Sequence, residues 1–118
     1  MPVAFLNGPY IAYEYEAVTV ATVSIGLDAA KLQKARTTND SIGGTSYTAT
    51  TKAIECYMTL ETAQIRWTCD GTTPTTTVGH LMEVGESITL HGHQNLSKFR
   101  SIRTGGTSGS LRVSYFSQ

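Results

Sequence analysis

Between residues 54 and 60 the chain alternates strictly, with Ile54, Cys56, Met58 and Leu60 on one parity and Glu55, Tyr57 and Thr59 on the other. A period of two belongs to an extended strand whose successive side chains point to opposite faces, so this segment predicts a strand with one buried face. Ile65, Trp67 and Cys69 alternate in the same way with Gln64, Arg66 and Thr68, and Leu111, Val113 and Tyr115 form a third such set. Shorter strands are expected at residues 81–84, 87–90 and 99–103, with turns at Gly85-Glu86 and in the glycine-rich stretch 105–109. Over residues 17–27 the alternation slips: Val18 and Val20 share one parity, Val23, Ile25 and Leu27 the other. A slip of one residue turns every following side chain to the opposite face, which needs a bulge or a strand that passes from one sheet to the other at a sandwich corner.

Three segments lack this order. Residues 29–36 predict a turn of helix capped by Asp28 or an extended link, and residues 37–50, rich in Thr, Ser and Gly, predict a long exposed loop or a flexible hairpin. Residues 1–16 open on an apolar stretch, break at Gly8-Pro9 and continue with Tyr10, Tyr13 and Tyr15 without core periodicity. Amphipathic rings at a chain end need a surface to lean on, either a neighbouring subunit or the edge of the sheet. The expected organisation is an N-terminal arm, 1–16, and a single domain, 17–118. The expected fold is an all-β antiparallel β-sandwich, Ig-like or jelly-roll-like, of about seven or eight short strands.

Composition narrows the function classes. Nine basic and nine acidic residues give a formal charge of zero, which argues against a nucleic-acid partner, since such a partner calls for a basic excess to displace counterions from phosphates. Charged residues are 15% of the chain, below the roughly 25% of an average domain; nineteen threonines take their place and favour strands. No apolar run approaches the roughly 20 residues of a membrane span, so no membrane is expected as a partner. Nor is a secretory signal expected, because no basic segment leads into an apolar one. Near neutrality eases self-association.

Candidate chemistry is sparse. Alternate positions would set His91 and His93 on one strand face, and with His80 they could form a metal set, but no carboxylate or cysteine stands at a supporting spacing. Surface or interface histidines are the better reading. Asp70-Gly71 reads as a turn, Trp67 as core packing, and the 105–109 glycines as a hairpin turn without the lysine and helix of a phosphate loop. Cys56 and Cys69 fall on the apolar parity and are expected as buried free thiols rather than a disulfide. Arg66 and Arg112 fall on outward parities, where pairing with Glu55, Glu61 or a partner's carboxylate is the expected role. No catalytic residue, cofactor or metal is expected, and the chain reads as a non-enzyme. The interface candidates are Tyr10, Tyr13, Tyr15, His91, His93, Arg66 and Arg112.

Two resemblances follow from these residues. The strand and turn Ile65-Arg66-Trp67-Thr68-Cys69-Asp70-Gly71-Thr72-Thr73-Pro74-Thr75, with Ser87-Ile88-Thr89-Leu90 and Phe99-Arg100-Ser101-Ile102, resembles the immunoglobulin-like C-terminal module of chitobiases, which implies a fold. Taken together with Gly79-His80, Gly85-Glu86 and Leu111-Arg112-Val113-Ser114-Tyr115, the longer pattern is similar to small virion structural proteins of tailed bacteriophages. That resemblance implies a capsid decoration, cement or neck protein. Its partners would be the major capsid protein and further copies of itself, as a dimer or trimer, on the capsid exterior after assembly in the host bacterial cytoplasm. A carbohydrate-binding or adhesion module is the alternative, and it would need an exposed aromatic platform.

Overall fold

The computed structural model describes residues 10–40 and 45–117. The chain is mostly β, with antiparallel sheets packed as a sandwich. Its elements in order are β1 (Ile11–Val20), α1 (Ala29–Leu32), β2 (Gln33–Asp40), β3 (Thr45–Lys52), β4 (Glu55–Glu61), β5 (Ile65–Thr68), β6 (His80–Met82), β7 (Ser87–His91), α2 (His93–Lys98), β8 (Arg100–Arg103) and β9 (Gly109–Ser117). Among the described residues nine strands stand where about seven or eight were expected, the excess being the β2–β3 hairpin in the threonine-rich stretch.

The larger sheet has the order β1-β9-β4-β7 and the smaller β6-β5-β8. Alternation fills the space between them: Val18, Val20, Cys56, Met58, Leu60, Leu111, Val113 and Tyr115 from the larger sheet meet Ile65 and Met82 from the smaller. Leu32 of α1, Leu96 of α2 and Phe99 close the core. Gly109 of β9 lies tight against Ala63 and Ile65. A Cβ there would stand 2.7 Å from the Ile65 Cγ2 and 2.8 Å from the Ala63 carbonyl oxygen, so only glycine fits without a backbone shift.

The register of β1 on β9 shifts between Ala12 and Glu14, ahead of the slip in alternation over 17–27, and makes Tyr13 a bulge residue. The slip itself corresponds to a change of sheet. After Val20 the chain leaves the larger sheet and joins the smaller one, where Ile25 bridges Ser101 through two backbone hydrogen bonds of 2.9 Å. Asp28 caps α1 by accepting from the Ala30 amide at 2.9 Å, although the helix stops at Leu32, earlier than residue 36. Within the expected arm 1–16, Ile11 to Glu16 take the sheet-edge alternative: all but the bulged Tyr13 have a register partner on Val113 to Ser117 of β9. Residues 1–9 lie outside the described residues.

Among the described strands β2 and β3 pair only with each other. Eight residues at about 3.3 Å each make a ladder of about 26 Å. The radius of gyration is 16.4 Å and the longest dimension 56 Å, against about 13.5 Å expected for the radius of a compact chain of this length. The hairpin stands off the sandwich, held at its base by the Ala53 amide donating to the Leu32 carbonyl at 2.8 Å and by the Lys34–Glu14 ion pair at 2.7 Å. A lone two-stranded hairpin is marginally stable in water.

Candidate functional site

Cross-strand register lays out the outer face of the larger sheet row by row. His91, Glu55 and Phe116 form one row across β7, β4 and β9; Thr89, Tyr57, Ser114 and Tyr15 form the next and extend it onto β1; Ser87, Thr59, Arg112 and Ala17 form the third. These are the polar-parity positions of each strand, yet they carry two tyrosines and a phenylalanine. Tyr15 is 53% exposed and Tyr57 43%. Arg112 donates from Nη1 to the Tyr15 hydroxyl at 3.0 Å and reaches the Glu61 carboxylate at 3.3 Å, which straps β9 to both neighbours. The Tyr15 hydroxyl and the Glu61 charge hold the guanidinium above its ordinary range.

A cavity of about 490 Å³ opens in the first two rows, lined by Glu55, Tyr57, Thr89, His91 and Phe116. Glu55 stands on the outward parity but is only 6% exposed, because its cross-strand neighbours are His91 and Phe116. Its carboxylate Oε1 lies 2.9 Å from His91 Nδ1.

The outer face of the smaller sheet is built differently. The chain after β5 folds back over it: Pro74 is fully buried, Arg66 donates from Nε to the Thr76 carbonyl at 3.0 Å and from Nη1 to the Gly79 carbonyl at 2.9 Å, and Thr68 donates to the Thr72 carbonyl at 2.5 Å. Asp70 accepts from the Thr72 amide at 3.0 Å, the Asx turn its sequence predicts, and that amide holds its carboxyl below the usual range. Gly79, at φ +123°, would put a Cβ 3.1 Å from the Trp67 carbonyl oxygen. Trp67 is half-buried, with the His80 ring at 4.8 Å and the Phe99 ring at 6.0 Å, and offers no open platform.

The structure brings Tyr15, Arg112 and His91 together on one face and separates the other interface candidates from it. Tyr10 precedes β1 and is exposed. Tyr13 turns to the core side, donating to the Lys31 carbonyl at 2.5 Å with its ring 6.3 Å from that of Tyr115; burial pushes its phenol up to about 12. His91 and His93 do not share a strand face, since β7 ends at His91 and His93 opens α2, where its Nδ1 lies 2.9 Å from the Ala53 carbonyl oxygen. Among the described residues Arg66 pairs with no carboxylate; it donates hydrogen bonds to loop carbonyls 10 and 13 residues away. Cys56 is a fully buried free thiol, pushed up to about 12 by desolvation, whereas Cys69 falls just past the end of β5 and is half-buried. Sequence reasoning missed Tyr57, Thr89 and Phe116, and it offered Glu55 as a partner for Arg66 or Arg112, whereas Glu55 faces His91. An aromatic residue on the polar parity of a half-buried strand was the available signal for Tyr57.

On the core side Tyr115 donates to the Glu16 carboxylate, and burial together with that carboxylate raises its phenol well above the ordinary range. No cluster of three metal-ligating side chains gathers among the described residues, and no helix there is long and apolar enough to cross a membrane. Comparison with known families, curated proteins and solved structures finds no match. Fold and site together define a β-sandwich with one outer face covered by its own loop and the other open and aromatic.

Proposed function

We propose that this protein is a structural component of a tailed-phage virion: a decoration or cement protein on the capsid exterior that binds and stabilises the lattice of the major capsid protein, and pairs with copies of itself. The observation that carries this reading is the open outer face of the larger sheet, where Tyr15, Tyr57, Arg112 and His91 lie together. Tyrosine and arginine dominate the energetics of protein interfaces, so the residue types suit a docking face. The hairpin supports the same reading: a two-stranded element with no sheet of its own gains most from packing on a neighbour. Its work is attachment, in which modest contacts repeated over a symmetric shell sum to a large resistance to internal pressure.

Mixing the purified chain with empty capsids assembled from the major capsid protein, after light scattering has given its own oligomeric state, tests the proposal. Saturable co-sedimentation at a fixed ratio to the capsid subunit is the expected result. Binding to connector or tail structures alone moves the protein to the neck, and binding to neither overturns the proposal.

A further inference from the structure

Glu55 is the most unusual group on the open face. Its side chain is 8% exposed, and its partner among the described residues, His91, is 72% exposed and is a cation only when protonated. A carboxylate taken out of water is costly unless a full positive charge or several hydrogen bonds compensate. Among the described cations, Arg112, four residues along β9 from Phe116, holds Tyr15 and Glu61, Lys34 holds Glu14, and the exposed Lys52, three residues before Glu55, forms no ion pair with it. The carboxylate therefore sits in the wall of an aromatic-lined cavity without a permanent countercharge among these residues.

We propose that this cavity receives an arginine side chain of a partner protein. A guanidinium is planar, remains charged at any ordinary pH, stacks on aromatic faces and forks onto carboxylates, and it is weakly hydrated enough to leave water for such a site. Tyr57, two residues from Glu55 on the same face, supplies an exposed ring, and Phe116, directly across from Glu55 on β9, and Thr89 complete the wall. The volume of about 490 Å³ lies within the range of small-ligand sites. The cavity opens onto a broad sheet face beside the exposed Tyr57 and Tyr15, so its occupant arrives carried on a surface rather than as a free metabolite. A lysine ammonium, strongly hydrated and without a planar face, fits less well. The inference deepens the docking reading of this face and rests on it for what carries the arginine; the pocket chemistry itself can be tested without any capsid.

The test titrates the full chain with N-acetyl-arginine N-methylamide and follows the NMR signals of Thr89, the Tyr57 ring and the Phe116 ring. Saturable shifts at these three residues are expected, with affinity in the millimolar range for a single side chain. The uncharged citrulline counterpart should bind at least tenfold more weakly, and Glu55→Gln should abolish the difference between the two. Equal shifts from both probes, shifts confined to other acidic residues such as Glu61 or Asp70, or no saturable shift would each overturn the proposal. Should Glu55→Gln fail to fold, the arginine-to-citrulline ratio on the unaltered chain decides alone. A chain that binds the arginine probe but ignores capsids keeps the pocket and loses the virion reading; the reverse loses the pocket only.

Discussion

The two outer faces of this sandwich start from the same kind of strand and end in opposite conditions. On the smaller sheet Arg66 points outward and is captured by the carbonyls of Thr76 and Gly79, so that residues 70–79 lie over the face with Pro74 buried beneath them. On the larger sheet Arg112 points outward and bonds sideways to Tyr15 and Glu61, within the plane of the face, and leaves Tyr57 and the cavity beside it open. An outward arginine can thus complete its own fold or leave a surface for another molecule. Which it does depends on whether a loop returns within its reach.

That contrast predicts opposite responses to truncation. Tyr57→Ala should weaken capsid binding by at least about 30-fold, the scale of a hot-spot loss of about 2 kcal/mol, while shifting folding stability by no more than about 0.5 kcal/mol. Co-sedimentation and urea unfolding read the two separately, and a large loss of stability without loss of binding would erase the distinction. Arg66→Ala should do the reverse, costing about 1–3 kcal/mol because two carbonyls lose a charged donor, with lattice affinity unchanged.

Alkali probes the inner side of the same larger sheet. Burial keeps the Cys56 thiol and the Tyr13 phenol neutral up to about 12 in the folded protein, against ordinary values of 9.0 and 10.0. The unfolded chain therefore loses these protons first. Their contribution is complete below about pH 9 and is lost as pH rises from there to about 12. Urea midpoints taken across that window should fall steadily, and a flat profile would mean the inner face is wetter than its packing implies. The smallest effect is expected from the hairpin. Joining Ala35 to Thr50 through Asn-Gly keeps the register pairs Gln33–Lys52 and Lys34–Thr51 and should alter sandwich stability by no more than about 1 kcal/mol. A larger loss would make the hairpin part of the body.

Legibility in the sequence follows the range of the interaction. Alternation at Cys56, Met58 and Leu60 or at Leu111, Val113 and Tyr115 is local, and the core it predicts is the core observed. The slip between Val20 and Val23 likewise announced the departure to the second sheet. The sequences of β2 and β3 carry no apolar parity, and among the described strands each pairs only with the other, so loop and hairpin could not be told apart. α2 lasts six residues and follows Gly92, which gives it no side-chain cap; that leaves no start signal and let His93 pass for a strand residue. The site was harder still. Glu55 is buried by cross-strand neighbours 36 and 61 positions away, and Arg66 is satisfied by loop carbonyls rather than by any carboxylate that a charge pattern could suggest.

Hydroxyl-radical footprinting of the free chain and of the chain bound to capsids tests the open face most directly. Tyr15 and Tyr57 should oxidise readily in solution and be shielded on the capsid, while half-buried Trp67 and core-facing Tyr13 oxidise at the same slow rate in both states. Unchanged oxidation of Tyr15 and Tyr57 in the bound state, with shielding instead over residues 70–79, would contradict it.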